Sequence, residues 1–162
     1  MKSLSDIEVA VKPSESFWMK TAYRIPDDPC GCVEPGATPK KTVPINRMTT
    51  RSLLINPEDG SRLKSGQPVE LMGVAFSGGY SIKEVLVSID AGMNWRPARL
   101  GKNIGRYSWI QWFFPWHPTK TGTYQVMVRA TNSIGESQPL DGLWNPSGYL
   151  LNKIEKHNLI VT

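Results

Sequence analysis

The stretch from residue 68 to residue 92, PVELMGVAFSGGYSIKEVLVSIDAG, decides the fold class. Four residues of its first segment share one face: Val69, Leu71, Gly73 and Ala75. This two-residue period is typical of a half-buried strand. A second apolar segment follows at 82–90, after Ser77-Gly-Gly79, and ends in Asp90-Ala-Gly92. Glycine accepts the positive φ of tight connections, so the stretch predicts consecutive antiparallel strands.

The same punctuation continues through the rest of the chain after residue 50. Short apolar segments alternate with turn residues, and one of them places Tyr124, Val126, Val128 and Ala130 on a common face. We expect strands at about 51–56, 68–76, 82–90, 95–100, 107–115, 122–131 and 155–162. About seven short strands of this spacing predict an immunoglobulin-like β-sandwich.

Residues before 50 have a different character. The segment 25–47 contains a proline every few residues, namely Pro26, Pro29, Pro35, Pro39 and Pro44. Proline at this density excludes a continuous helix or a central strand, so the segment is predicted to be an extended connector. The fold class is therefore all-β, a sandwich preceded by a Pro-rich arm.

Composition and charge limit the functions available to the chain. It has 162 residues, of which 40% are hydrophobic and 20% charged, as in globular domains and unlike disordered ones. No apolar run approaches the roughly 20 residues of a membrane span, and residues 1–12 do not resemble an export signal. The net charge of +5 is scattered. We therefore expect no membrane partner and no nucleic-acid partner.

A search for catalytic motifs finds none. Cys30-Gly-Cys32 is too tight for the C-x-x-C redox or zinc pattern, so two free or surface thiols are expected and metal binding is not. Asp90 and Asp141 are interpreted as turn or cap acids, and His117 as a packed loop residue. No nucleophile with a base, and no phosphate loop, is visible.

Six tryptophans are the remaining unusual feature. Five follow the arm: Trp95, Trp109, Trp112, Trp116 and Trp144. Aromatic residues of a sandwich most often fill its core, but exposed tryptophans can also bind sugar or protein. A free-standing carbohydrate- or protein-binding module is thus an alternative function. Burial of Trp95, Trp109 and Trp144 would argue against a carbohydrate module.

Four motifs in one order carry a resemblance to a known family. They are Gly73-Val-Ala-Phe-Ser-Gly-Gly79, Ile82 to Ala98, Arg129 to Pro139, and Trp144-Asn-Pro-Ser-Gly-Tyr149. Together they closely resemble the C-terminal dimerisation domain of molybdenum-cofactor oxidoreductases of the sulfite oxidase family. The connector around Cys30 resembles that of the bacterial sulfite dehydrogenase branch. The resemblance covers essentially the whole chain and implies the same immunoglobulin-like fold.

Two residues of the arm gain a role from this resemblance. Lys2 stands where a lysine of the family's catalytic domain touches the molybdopterin, and Tyr23 stands where a tyrosine lines the sulfite pocket. A phenol hydroxyl can donate a hydrogen bond to a bound oxyanion and relay a proton. The resemblance therefore implies Tyr23 as a substrate-pocket residue and Lys2 as a cofactor contact.

Two departures from the family pattern matter. The molybdenum-ligating cysteine of the family lies upstream of this chain, so neither Cys30 nor Cys32 takes that role. Ser147 occupies the place at which animal and plant members carry a substrate-binding arginine. This serine is consistent with the bacterial branch.

The resemblance implies an organisation and a function. Residues 1–24 would end a molybdopterin-binding catalytic domain, 25–50 would connect, and 51–162 would be the dimerisation domain. The expected function is assembly of a molybdenum-dependent sulfite-oxidising enzyme as a homodimer. The parent would hold molybdenum-molybdopterin, use a cytochrome c acceptor and lie in the periplasm. The isolated chain is expected to hold no cofactor and to be inactive.

Overall fold

The computed structural model describes residues 3–162, which form eleven strands and one short π-helix, Trp18–Ala22. These residues divide into two compact units. The arm unit comprises the chain up to Asn46 together with Trp144–Tyr149. The sandwich unit comprises Arg47–Leu143 and Leu150–Thr162. Within the described residues, no helix has the length and apolarity needed to cross a membrane.

Two sheets form the sandwich unit. Their strands are β3 Arg51–Asn56, β4 Arg62–Leu63, β5 Val69–Phe76, β6 Ile82–Ser88, β7 Arg96–Pro97, β8 Arg99–Leu100, β9 Ile110–Trp116, β10 Gly122–Asn132 and β11 Lys156–Val161. The first sheet has four strands in the order β3-β5-β9-β8, and the second has five in the order β4-β11-β10-β6-β7. Neighbouring strands are antiparallel, apart from the parallel pair β11 and β4. The predicted all-β, immunoglobulin-like sandwich is confirmed.

The core lies between the two sheets and follows the predicted alternation. Leu71 and Ala75 of β5 point inward, and so do Val126, Val128 and Ala130 of β10. The largest fully buried side chain is Trp112 of β9. Inward and outward side chains alternate along each strand, so the neighbours of these core residues lie on the outer faces of the sheets.

One predicted strand is wrong in detail. The segment 95–100 was expected to form a single strand, but it forms β7 and β8, which belong to different sheets. The chain changes sheet at Ala98, whose N–H donates to the carbonyl of Val85 at 2.8 Å. Edge segments that switch sheets bend too sharply for one continuous ladder.

The side chain of Gln138 joins the two sheets at one corner. It is 3% exposed, and its Oε1 accepts from the N–H of Ser52 on β3 at 2.7 Å and from that of Ala130 on β10 at 3.1 Å. Its Nε2 donates to the carbonyl of Asn152 at 3.0 Å. A single amide therefore satisfies two buried strand N–H groups and one part-buried loop carbonyl.

Asp90 organises the turn after β6, as the sequence predicted. The carboxylate accepts hydrogen bonds from the backbone N–H of Asn94 at 2.9 Å, from the Asn94 side-chain amide at 2.8 Å and from the Ser88 hydroxyl at 2.7 Å. These bonds lower the pKa of Asp90 from 3.8 to about 2, and the bond from the Asn94 backbone N–H has the largest effect.

The arm unit has little regular structure, in keeping with its prolines. Its two strands, β1 Arg24–Pro26 and β2 Thr42–Pro44, pair antiparallel. The side chain of Arg24 supports the pairing, because its Nε donates to the Thr42 hydroxyl at 2.9 Å. The predicted boundaries at 24 and 50 concern the parent protein and stay predictions.

Candidate interaction surface

The outer face of the four-stranded sheet is largely apolar, although Gln111 and Glu70 also point outward from it. Residues that point away from the core on β3, β5 and β9, with Trp109 just before β9, form what we call the apolar sheet face: Leu53, Ile55, Met72, Val74, Phe76, Trp109 and Phe113. Ile55 and Trp109 are the most open of these, with 46% and 54% of their surface exposed. Water-facing strands normally carry polar residues at such positions.

Strand register gathers these side chains into one patch. Leu53 lies opposite Val74, and Met72 lies opposite Phe113. At one end, the rings of Phe76 and Trp109 stack with centroids 4.8 Å apart. Cross-strand neighbours of this kind lie within van der Waals reach, so the patch is continuous across three strands.

Charged groups border the apolar sheet face on its β8 side. The guanidinium of Arg99 lies over the ring of Phe113, 4.5 Å from its centroid, and 3.8 Å from the carboxylate of Glu70. Both charged side chains are more than half exposed. An apolar centre with a polar rim is the usual anatomy of a protein–protein interface.

The outer face of the five-stranded sheet is different. Its outward positions on β6, β10 and β11 are largely polar: Glu84, Gln125, Arg129, Lys156 and Asn158. Arg129 covers the ring of Trp95 at 4.9 Å, and Trp95 Nε1 donates to the carbonyl of Gly92 at 2.9 Å. The two outer faces of the sandwich thus differ in polarity. The outer face of the four-stranded sheet is therefore the candidate interface.

The tryptophans divide between core and surface. Trp112 and Trp116 are buried, Trp95 is half-buried, and Trp109 and Trp144 are exposed. Burial of Trp95, Trp109 and Trp144 would have argued against a carbohydrate module, but none of the three is fully buried. Trp109 is accounted for by its place on the apolar sheet face.

Tyr23 lies among aromatic residues of the arm unit. Its ring stacks on Trp18 with centroids 5.6 Å apart and is tilted against Tyr149 at the same distance. It is 44% exposed, so its ring is fixed on two sides while part of its surface is open. Tyr149 ends the segment that contains Ser147, and Asn145 fixes this turn through bonds to both backbone groups of Tyr149. Lys2 lies outside the described residues.

The expectation of two free thiols is wrong, because Cys30 and Cys32 form a disulfide. Gly31 has φ +60, a conformation that glycine adopts readily, and this turn brings the two Cα atoms to 5.1 Å. That separation lies within the range a disulfide spans. The sequence pattern gave no signal for the bond, because C-x-C pairs close only when the central residue can turn the chain.

Comparison with known proteins adds the family context. Residues 42–161 match the family model described as the Mo-co oxidoreductase dimerisation domain. Mitochondrial sulfite oxidase of Homo sapiens is 27% identical over 95% of this chain and 30% of its own length. Sulfite oxidase of Gallus gallus is 31% identical over 88% of this chain and 32% of its own length. The chain thus spans about a third of the length of these relatives.

The chain is also similar to a plant enzyme and to a solved bacterial structure. Nitrate reductase [NADH] 1 of Phaseolus vulgaris is 26% identical over 91% of this chain and 16% of its own length. Among solved structures, the sulfane dehydrogenase SoxCD from Paracoccus pantotrophus superposes with a TM-score of 0.68 at 22% identity, over 90% of this chain and 36% of that one. This likeness shows the shared fold.

Proposed function

Because the chain belongs to the family of Mo-co oxidoreductase dimerisation domains, we propose that it is the C-terminal dimerisation portion of a molybdenum-dependent, sulfite-oxidising enzyme. Its task is assembly of a homodimer. Support comes from the sulfite oxidases to which nearly the whole chain is similar, each about three times as long. The remaining two thirds of such a parent would hold the catalytic domain.

The observation that carries this proposal is the apolar sheet face. A second copy of the chain would cover it in a twofold arrangement, in which the same patch serves both partners. Standard interfaces bury about 800 Å² on each partner, so the polar rim around the patch would have to contribute to the contact as well. Leu53 and Ile55 lie on the edge strand β3, so they would contribute to the contact from the open side of the sheet.

Molybdenum does not fit a site made by this chain alone. The family's metal is held by a cysteine, but the sequence contains only two cysteines and both are in the disulfide. A disulfide sulfur offers no thiolate to a metal. The molybdopterin centre therefore belongs to the upstream part of the parent, with Lys2 proposed as a contact to it.

For the parent enzyme, we propose that Tyr23 lines the substrate pocket. Its hydroxyl can donate a hydrogen bond to a bound oxyanion. The aromatic neighbours Trp18 and Tyr149 restrict the orientation of its ring, so little rotational freedom remains to be lost when substrate binds. Ser147 carries no charge, so positive charge for an anionic substrate would have to come from another residue.

The disulfide bears on the compartment of the parent. Disulfides persist in oxidising compartments such as the bacterial periplasm and are rare in the cytosol. A periplasmic parent is consistent with this bond. We include a cytochrome c as electron acceptor on the ground of the family resemblance alone.

Sedimentation equilibrium at micromolar concentration tests the assembly. We expect a dimer that Ile55→Asp weakens at least tenfold, because the substitution places a charge on the apolar sheet face. Thr123→Asp is the matched control, since Thr123 is an exposed strand residue of the other sheet. A monomeric wild-type chain, or equal weakening by both variants, would contradict the proposed face.

A further inference from the structure

The Cys30–Cys32 disulfide contributes little to the stability of the fold. Disulfides stabilise mainly by restricting the unfolded chain, and the effect grows with the length of the closed loop. Here only one residue separates the two cysteines, so the sulfurs stay near each other in any state of the chain. A reason other than stability is therefore needed for this bond.

Backbone hydrogen bonds fix the loop independently of the disulfide. The N–H of Gly31 donates to the carbonyl of Asp28 at 2.8 Å, and the N–H of Val33 donates to the carbonyl of Trp144 at 3.0 Å. The N–H of Cys30 donates to Asp28 Oδ1 at 3.2 Å. Opening the bond would break none of these contacts, so the two thiols would remain placed to close again.

The two sulfurs differ in exposure and in electrostatic surroundings. Cys30 is exposed and Cys32 is half-buried, so an incoming thiolate reaches Cys30 more easily. Asp28 Oδ1 lies 3.1 Å from Cys30 Sγ. After the bond opens, a Cys30 thiol can donate its S–H to this carboxylate, whereas the negative charge of Asp28 opposes a thiolate at Cys30. Cys32 is thus the better leaving thiolate.

We propose that Cys30-Gly31-Cys32 is a thiol–disulfide exchange site that passes two electrons between this chain and a dithiol. A thiolate of the dithiol attacks Cys30 Sγ, a mixed disulfide forms, the Cys30–Cys32 bond breaks and Cys32 leaves as a thiolate. The second thiolate of the dithiol then attacks its own partner sulfur and releases Cys30. The dithiol becomes a disulfide, and its two protons pass through solvent to Cys30 and Cys32. The reverse sequence oxidises the site.

Asp28 is a positioning residue in this proposal. Its carboxylate holds the Cys30 backbone N–H and repels an attacking thiolate, so it slows entry of electrons at the exposed sulfur. Asn at this position keeps an acceptor oxygen for the N–H and removes the charge. We expect Asp28→Asn to speed reduction a few-fold at low ionic strength, and the gain to disappear in about 1 M salt because salt screens exposed charges.

The experiment uses the purified chain, prepared without reductant and kept with a chelator. Dithiothreitol at neutral pH is the reductant, maleimide alkylation counts free thiols by mass, and circular dichroism follows the fold. We expect reduction at a rate within about tenfold of that of an unstructured peptide spanning residues 27–36, unchanged dichroism, and closure by oxidised dithiothreitol. Cys32→Ser is the control, with one thiol alkylated before any reductant is added.

Three outcomes would overturn the proposal. The first is a wild-type chain that keeps two free thiols in oxidised dithiothreitol. The second is reduction that occurs only in denaturant, which would make the bond structural. The third is a salt-independent effect of Asp28→Asn, which would remove the role given to the carboxylate. None of these outcomes bears on dimerisation, which sedimentation tests separately.

Discussion

The indole of Trp112 lies directly over the Cα of Gly73, its partner on the neighbouring strand of the four-stranded sheet. A Cβ at residue 73 would overlap the Trp112 ring and the Leu53 carbonyl oxygen. Trp112 is fully buried, so its ring cannot retreat into solvent. The absence of a side chain at Gly73 is therefore the condition for placing the largest residue of the core.

Gly73→Ala is expected to destabilise the fold through overpacking, by about 1–3 kcal/mol or more. Urea unfolding followed by tryptophan fluorescence measures the change. Gly142→Ala is the matched control, because its added Cβ would meet only flexible side chains, Leu151 at 3.0 Å and Lys153 at 3.7 Å. Equal effects of the two substitutions would show that the overlap with Trp112 is relieved at little cost.

Gln138→Leu keeps the side-chain size but removes the amide that joins the sheets. The N–H groups of Ser52 and Ala130 would lose their acceptor, and each buried unpaired group costs about 1–3 kcal/mol. Differential scanning calorimetry should show a large drop in Tm. Gln67→Leu, at an exposed position, should leave Tm almost unchanged. A small drop for Gln138→Leu would mean that water replaces the amide.

Asp90 should make part of the fold's stability depend on acid pH. Its folded pKa of about 2 lies below the ordinary value of 3.8, so the stabilisation is complete above the ordinary value and is lost as pH falls toward 2. The free energy of unfolding of wild type should exceed that of Asp90→Asn at pH 6, and the difference should shrink between about pH 4 and pH 2. A difference that is constant with pH would contradict this assignment.

Trp95 and Trp112 should differ sharply on truncation to alanine. If Trp95 were a core residue, as aromatic residues of a sandwich most often are, its truncation would cost about 3–5 kcal/mol. The structure assigns that loss to Trp112, whereas Trp95 loses one hydrogen bond and a cation–π contact, about 1–2.5 kcal/mol together. Chemical denaturation of both variants measures the difference. Similar losses would mean that the contacts of Trp95 on the outer face stabilise the fold as much as those of Trp112 in the core.

Tyr23→Phe in the complete parent enzyme tests the proposed pocket residue. The substitution keeps the stack with Trp18 and removes one hydrogen bond to a charged oxygen, worth about 1.5–3 kcal/mol. Since 1.36 kcal/mol corresponds to tenfold in rate, kcat/KM for sulfite should fall about 10- to 100-fold. Tm should hardly change. Unchanged kinetics with intact folding would place Tyr23 outside the site.

The sandwich could be predicted from the sequence because its signal is local. Alternating apolar residues in β5 and β10 and the glycine turns between strands follow directly from strand geometry. The switch of sheet at Ala98 could not, because it depends on which strand edges are free after the others have paired. The location of the Trp95 side chain was likewise ambiguous, because the sequence pattern is the same whether an aromatic residue packs between the two sheets or on the outer face of one.

The proposed sites differ in the same way. The apolar sheet face was hidden in the alternation, because outward Leu53 and Val74 look like further core residues until strand register is known. The disulfide depends on the φ of Gly31, which sequence does not encode uniquely. The assignments of Tyr23 and Lys2 rest on family resemblance, and the surroundings of Tyr23 include Tyr149, which is distant in sequence.

The excursion of Trp144–Tyr149 limits how this protein can be divided. These six residues belong to the arm unit, although the chain on both sides of them belongs to the sandwich unit. The polypeptide therefore passes between the units three times. A gene cut at Asn46 would not yield a self-sufficient module, because the shortened product would retain a segment whose partners had been deleted. Recombination therefore has to move the two units together, and a truncated gene has to keep both of them.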